Sequence, residues 1–352
     1  MHVTLKDISK SVGFSVNSVS LALKDSPRIS EETKKKVLQA AREMDYIPNN
    51  AARSLVLGKS RTIGLVLGNI NSNMLISEAS LIEKILTQRG YSLTIVTSQS
   101  NVETESKAID LLLSNKVDGI ILNTHFQNNI PRMERLRKSG YPILLRSGFL
   151  RDSIALDSVY PDLLLGSYIA TKHLLDMEHK RVLYVCHAEN AQDALTRSAK
   201  AEGFRKAVVE AGHSFTFDLI LPVQIEYADE QMIYGAKFSS NLLEAAHKET
   251  AFVVAEDELA IPIMKHLIEN GISIPGDIAV ASLDNTRFAE SAVVALTSVG
   301  FDALELSRQA VDTILTLIDG INEERELVNK SIAPKLFIRD SCGNKYKTNY
   351  KI

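Results

Sequence analysis

The 352-residue chain has two cysteines, Cys186 and Cys342, far apart and with no CxxC or Cys/His cluster around either. That argues against a disulfide framework or a zinc site and fits a reducing compartment. His173, His179 and His187 lack metal-ligand spacing and read as structural or surface groups. No apolar run reaches the ~18 residues that span a bilayer, and the opening MHVTLKDISK lacks the apolar core of a secretory signal. A soluble, cytoplasmic protein is expected. No strand-like run leads into a GxGxxG or GxxxxGK loop, and no nucleophile elbow, catalytic carboxylate pair or metal motif stands out. Neither an enzyme nor a cofactor is expected.

Single cores stop growing near ~250–300 residues, so a chain of this length divides into two or three domains. Charge is shared unevenly between them. Residues 1–60 hold ten Lys and Arg against six acids, net +4, whereas the remaining 292 carry 30 basic and 37 acidic groups, net −7. A basic end on an acidic body implies that the N-terminal piece meets a polyanion.

Three short helices are predicted there from their caps. Thr4 precedes LKDISKSV, in which Leu5, Ile8 and Val12 keep helical spacing and Asp7 completes a variant capping box. Gly13 stops that helix. Ser15 caps VNSVSLAL, with Val19, Ala22 and Leu23 inward. Ser30, followed by Glu31 and Glu32 where the helix dipole favours acids, starts TKKKVLQAAREM with Val37, Leu38 and Ala41 facing in. Two helices joined by a tight turn, with a third across them, form a helix-turn-helix whose recognition helix spans about 16–23. A three-helix bundle without nucleic acid satisfies the same caps. The second helix favours DNA: Asn17 can bond bidentately to adenine and Val16 can meet a thymine methyl. Ser15, Ser18 and Ser20 can donate to phosphates, or serve only as caps and surface groups.

The run TLKDISKSVGFSVNSVSLALKDSPRISEETKKKVLQAAREMDYIPNNAARSL resembles the headpiece of the LacI/GalR family of bacterial repressors, collinearly and through the YIPN junction. The resemblance implies that Thr4, Ser15, Val16, Asn17, Ser18, Ser20 and Leu21 meet operator DNA. It also implies a hinge helix from Asn49 to Leu57 that orders on DNA, with Asn49, Ala52 and Arg53 at the duplex and Leu55 wedged into the minor groove. Such a wedge kinks the duplex and gains contact in return. Taken alone, Leu55 reads as a core residue of a linker helix. Leu21 departs from the family pattern, in which many members carry Arg, so the operator is expected to differ from theirs.

From Arg61 onward, apolar runs alternate with amphipathic stretches. TIGLVLG, SLTIVT, VDGIILN and PILLR read as buried strands, separated by helical LISEASLIEKILTQRG, ETESKAIDLLLSN and PRMERLRKSG. A second set follows: helix DLLLGSYIATKHLL, strand RVLYV, helices AKAEGFRKAVVEAG and EQMIYGAKFSSNLLEAAH, strand AFVVA, helix ELAIPIMKHLIENG and strand DIAVAS. Apolar strands alternating with helices imply parallel sheets covered on both faces, and two sets imply two lobes. The expected fold is α/β, with an all-α helix-turn-helix headpiece and hinge helix before two doubly wound parallel sheets. The body resembles the periplasmic-binding-protein-like effector domain of the same family through RTIGLVLGNI, NKVDGIIL, ATKHLLDMEHKRVLYV, VVAEDELA, IPGDIAVASLDN and RDSC. The expected divisions are 1–48 headpiece, 49–60 hinge and linker, 61–340 two-lobed domain and 341–352 polar tail. Within 61–340, the first lobe takes about 61–159 and 291–321, and the second about 160–290 and 322–340. A secreted solute-binding protein would share this body but not the headpiece.

Ligands of open α/β sheets bind beyond the strand carboxyl ends, and a cleft between lobes adds hinge closure. The resemblance places an effector there, at Ser72, Ser147, Lys200, Glu256, Asp284 and Phe301, with Asp257 beside Glu256. Ser147 stands where the family often has Asp, Lys200 where Arg is common, and Glu256-Asp257 where Asn-Asp is common. Asp284 is retained. Glu in place of Asn adds a charge and removes an amide donor. One cation with several carboxylates suits a charged or modified sugar, or another polyhydroxylated metabolite, better than a plain neutral hexose. Ala303 stands where some relatives put an aromatic ring, and Phe301 is two residues away. The alternative is a DNA-binding regulator without a small-molecule effector, controlled by a protein partner or constitutive. Asp157, Asp162, His125 and Arg146 read as solvated. The expected assembly is a homodimer on a pseudo-palindromic operator, because the closing GNKYKTNYKI is polar and lacks the heptads of a tetramerisation tail.

Overall fold

The computed structural model describes residues 3–47, 58–70, 72–124, 126–146, 154–188, 190–223, 225–226, 237–238, 240–247, 249–320 and 326–343. It forms two compact units, Met1–Ser60 and Arg61–Ile352.

In the first unit, α1 (Leu5–Val12), α2 (Val16–Leu23) and α3 (Glu31–Glu43) begin at their expected caps. The Asp7 carboxylate accepts the Thr4 N–H at 2.9 Å and the Thr4 hydroxyl at 2.7 Å. Gly13 closes α1 at φ 75°, a left-handed conformation that glycine adopts without steric cost. Ser15 Oγ accepts the Ser18 N–H at 3.0 Å, and Ser30 Oγ accepts the Thr33 N–H at 3.3 Å. Ile8, Val19, Ala22, Val37, Ala40 and Ala41 make the core. Leu38, expected inside, is 42% exposed. The buried stripe of α3 is Lys34, Val37, Ala40 and Ala41, and Leu38 lies about 100° round the helix from Val37, outside it.

The second unit begins with β1 (Thr62–Leu67), α4 (Asn73–Gln88), β2 (Ser92–Thr97), α5 (Val102–Ser114), β3 (Gly119–Leu122), α6 (Ile130–Lys138), β4 (Ile143–Leu145) and β5 (Asp157–Pro161). It continues through α7 (Leu163–Asp176), β6 (Arg181–Cys186), α8 (Ala191–Arg197), α9 (Ala199–Glu210), β7 (Ile220–Pro222), β8 (Ile225–Glu226), β9 (Lys237–Phe238) and α10 (Asn241–Ala245). Then come β10 (Thr250–Val254), α11 (Asp257–Glu269), β11 (Ile278–Asp284), α12 (Arg287–Ser291), β12 (Thr297–Phe301), α13 (Ala303–Asp319), β13 (Asn329–Ile332) and β14 (Pro334–Phe337). One six-stranded sheet runs β13-β5-β4-β3-β1-β2, all parallel. The other runs β14-β12-β11-β10-β6-β7, parallel except at β14. β3 and β10 are buried along their whole length, as helices on both faces require.

The chain passes between the two lobes at Asp162, Asp302 and Ala333, each a single residue between an element of one lobe and an element of the other. This corrects the expected divisions near 291 and 321. β12 pairs with β11 in the second sheet and β13 with β5 in the first, while Leu306, Ala310 and Ile314 of α13 join the first lobe's core. An apolar pattern marks a strand but not the sheet it joins. EQMIYGAKFSSNLLEAAH is likewise not one helix: Lys237 and Phe238 pair with Glu226 and Ile225, and α10 starts at Asn241. Strand pairing overrides the helical period there, and residues 227–236 lie outside the described residues. Ser341 and Cys342, expected in the tail, are buried. Ser341 Oγ donates to the Val280 carbonyl at 2.6 Å and accepts the Thr297 N–H at 2.8 Å, which ties this segment to β11 and β12.

α7 and α9 approach closely at Gly203. A Cβ there would stand 2.1 Å from the Leu164 carbonyl oxygen, which is backbone and cannot swing away. Gly203→Ala is therefore expected to cost at least the ~1–3 kcal/mol of an overpacked core. Urea denaturation checks it, and an unchanged midpoint would contradict the close approach.

Candidate functional site

α2 turns Val19 and Ala22 into the headpiece core. At about 100° per residue, its opposite face carries Val16, Ser20, Asn17 and Leu21 within about 140° of arc. Val16 is 42% exposed, Asn17 is exposed, and Ser20 and Leu21 are half-buried. Ser15 and Ser18 sit at the helix start with their hydroxyls 2.9 Å apart. Thr4 is exposed at the start of α1. Asn49, Ala52, Arg53 and Leu55 lie outside the described residues.

In the second unit, the carboxyl ends of the two sheets meet. Glu258, in the first turn of α11 beyond β10, accepts the N–H of Asn73, in the first turn of α4 beyond β1, at 2.7 Å. That bond links the lobes. Ser72 caps α4 without a side-chain hydrogen bond of its own, so Glu258 supplies an acceptor that the helix start lacks. Nearby in the second lobe, Lys200 in the first turn of α9 donates to the Ala255 carbonyl at 2.7 Å and to Asp284 Oδ1 at 3.1 Å. Both side chains are largely buried. Asp284 ends β11 at φ 103° and Asn285 follows at 44°. Two left-handed non-glycine residues in succession are strained. They are held by the Asn285 N–H bonded to Ser298 Oγ at 3.0 Å and by Arg339 Nη2 bonded to Asn285 Oδ1 at 2.7 Å.

Burial pushes the Asp284 carboxyl up to about 6; Lys200 pulls it down, while the charges of Glu256 and Asp257 push with burial. On Lys200, burial works downward, but the charges of Asp284 and Glu256 outweigh it and hold the ammonium above its ordinary value.

The sequence pattern of bacterial regulatory proteins of the lacI family matches residues 4–49, and that of the periplasmic binding protein-like domain matches 171–342. The chain carries a lacI-family DNA-binding domain and a periplasmic-binding-protein-like domain. It is 28% identical over 304 residues to catabolite control protein A of Priestia megaterium, covering 85% of this chain and 87% of that protein. It is 28% identical over 347 residues to the HTH-type transcriptional repressor PurR of Glaesserella parasuis serovar 5, covering 97% and 98%. In fold it matches the Lac repressor dimer bound to operator and the anti-inducer ONPF, with TM-score 0.80, 22% identity and coverage of 97% and 99%. The chain is thus a DNA-binding transcriptional regulator that joins a helix-turn-helix headpiece to a periplasmic-binding-protein-like body.

Several residues of the regulator stand differently from expectation. Glu256 is exposed at the start of α11. Its neighbour Asp257 is fully buried and accepts the Ser282 hydroxyl, the Ser298 hydroxyl at 2.7 Å, the Thr286 N–H at 2.5 Å and the Thr286 hydroxyl at 2.9 Å. It braces the loop after β11. Arg146 and Asp157, expected in solvent, are buried at strand ends, where a charge must find partners. Arg146 bonds to Glu78 and the Val159 carbonyl, and Asp157 accepts the Val328 N–H at 2.9 Å and Arg137 Nε at 3.5 Å. Asp162 caps α7 through the Leu165 N–H at 3.1 Å. The Phe301 ring lies against α7, its Cζ 3.4 Å from where a Gly166 Cβ would stand, and Ala303 is exposed. Ser147 and His125 lie outside the described residues.

Burial lowers the pKa of both His173 and His179, and His173 Nε2 lies 3.5 Å from Cys342 Sγ; His187 is exposed. Among the described residues no group of three His, Cys, Asp or Glu could hold a metal, and no helix is long and apolar enough to cross a membrane. Glu258 was not singled out by sequence, because nothing local to VVAEDELA marks an acceptor for the other lobe.

Proposed function

We propose that the regulator is a homodimeric repressor on a pseudo-palindromic operator, with operator affinity set by a small polar effector bound between the lobes. The observation that carries this reading is the Asn73–Glu258 bond, which sets the carboxyl ends of both sheets about one cleft. Lys200 and Asp284 stand at the second lobe's strand ends, Ser72 at the start of α4, and Glu256 at the start of α11. Carboxylates accept from hydroxyl or ammonium groups, so a polyhydroxylated or amino-bearing metabolite fits, such as a modified or charged sugar. The effector acts on DNA binding only through its differential affinity for two arrangements of the lobes.

A thermal-shift screen over a metabolite panel finds the ligand, and calorimetry tests the site. Asp284→Ala is expected to weaken binding about 10–100-fold, the worth of a hydrogen bond to a charged group. Wild-type affinity falls as pH is lowered through about 6, where Asp284 takes up a proton, and Asp284→Asn removes that dependence. The apo protein shows the opposite linkage. A carboxyl raised from 3.8 to about 6 favours the folded state when protonated, so its contribution is present at low pH and is lost as pH rises through about 6. Unchanged ligand affinity in Asp284→Ala would overturn the effector site. So would a panel with no ligand at all beside intact operator binding.

A further inference from the structure

We infer that α2 reads the operator through thymine methyl groups and an adenine edge, and not through guanine. This rests on α2 being the recognition helix and adds the chemical groups it takes from the duplex.

α2, VNSVSLAL, carries no charged side chain. The commonest base-specific contact is Arg or Lys bidentate to guanine O6 and N7, and acids accept from cytosine N4. α2 can make neither. Lys34 on α3 is held by Asp25 at 2.7 Å and Glu31 at 2.8 Å, with its side chain 9% exposed, so it is not available to replace them. The Ser15 and Ser18 hydroxyls are bonded to each other, and Ser15 Oγ also accepts the Ser18 N–H.

The outward face is therefore defined by Val16, Asn17, Ser20 and Leu21. Val16 and Leu21 mark its two edges, about 140° apart round the helix and about 7.5 Å apart along it, at 1.5 Å per residue. That rise is close to two base-pair steps of about 3.4 Å each. Asn17 lies between them in angle, exposed, with an amide whose oxygen and nitrogen match adenine N6 and N7. In the major groove an A·T pair offers just this set: the adenine edge for an amide, and the thymine methyl for an apolar side chain. A G·C pair offers α2 no apolar group and no charged partner. Cations elsewhere on the headpiece serve the phosphates, which position the protein without reading sequence.

The test uses the full-length protein and a duplex selected from random sequence. Each thymine of the selected half-site is then replaced by uracil, which removes only the methyl and leaves the protein untouched. Wild type is expected to lose about 3–5-fold in affinity at one or two positions per half-site, the worth of one buried methyl group. Val16→Ala and Leu21→Ala should each abolish the uracil effect at one of those positions, and Asn17→Ala should relax the adenine preference at a neighbouring one. Circular dichroism on the variants confirms that the headpiece is folded. A selected half-site insensitive to uracil throughout, or one read at G·C pairs, would overturn methyl readout and leave the recognition helix standing. Selection of no operator at all would instead overturn the assignment of α2, and methyl readout with it.

Discussion

Arg146→Met, with Glu78 left in place, is expected to lower the stability of the second unit by about 3–5 kcal/mol, and adding Glu78→Leu should recover most of the loss. Arg146 is 4% exposed and Glu78 7%. Arg146 Nε donates to Glu78 Oε1 at 2.7 Å, Nη2 reaches the same oxygen, and Nη1 donates to the Val159 carbonyl at 2.6 Å. The guanidinium thus joins α4 to the end of β4 and the middle of β5. Removing it alone strands a carboxylate in a place that water does not reach. Removing both charges exchanges a desolvated pair for hydrocarbon and leaves one carbonyl short of a donor. Urea denaturation of wild type, single and double variants gives the coupling directly. Equal losses in the single and double variants would show that the pair is not desolvated.

Asp257→Ala is expected to cost a similar ~3–5 kcal/mol, because one buried carboxylate satisfies four donors from three places in the chain. Ser282 belongs to β11, Ser298 to β12, and Thr286 follows the left-handed pair Asp284 and Asn285. Asp257→Asn should do little better, since its amide turns a donor toward groups that are themselves donors. Hydrogen exchange should show faster opening at residues 284–286 in both variants. A denaturation midpoint like that of wild type would rule out the brace.

Asp257 also shows where sequence reading ends. The residue stands beside Glu256 in VVAEDELA and was expected in the pocket wall, yet its partners lie 25, 29 and 41 residues away. No local pattern carries that information. The headpiece was legible because its rules are local: Thr4 with Asp7, Ser15 with Ser18, and Ser30 with Thr33 are separated by three residues each. β1, β3, β6, β10 and β11 were legible as apolar runs buried on both faces. β5 and β12 were not, since they carry Asp157, Thr297 and Ser298, buried polar groups that distant partners make tolerable, and neither was β13, whose NKSI is polar and largely exposed. α13 was missed although its apolar spacing is regular, and with it the true course of the chain between the lobes.

That course has a consequence for inheritance. Each lobe is assembled from separated stretches: the first sheet needs β1 to β5 and then β13, and the second needs β6, β7, β10, β11 and β12 and then β14. No single uninterrupted stretch of the gene encodes either lobe. A premature stop codon anywhere before Asn329 deprives both sheets of a strand at once. Recombination between two such genes cannot exchange a whole ligand-binding lobe with one crossover; it must join the parents within the codons around Asp162, Asp302 and Ala333.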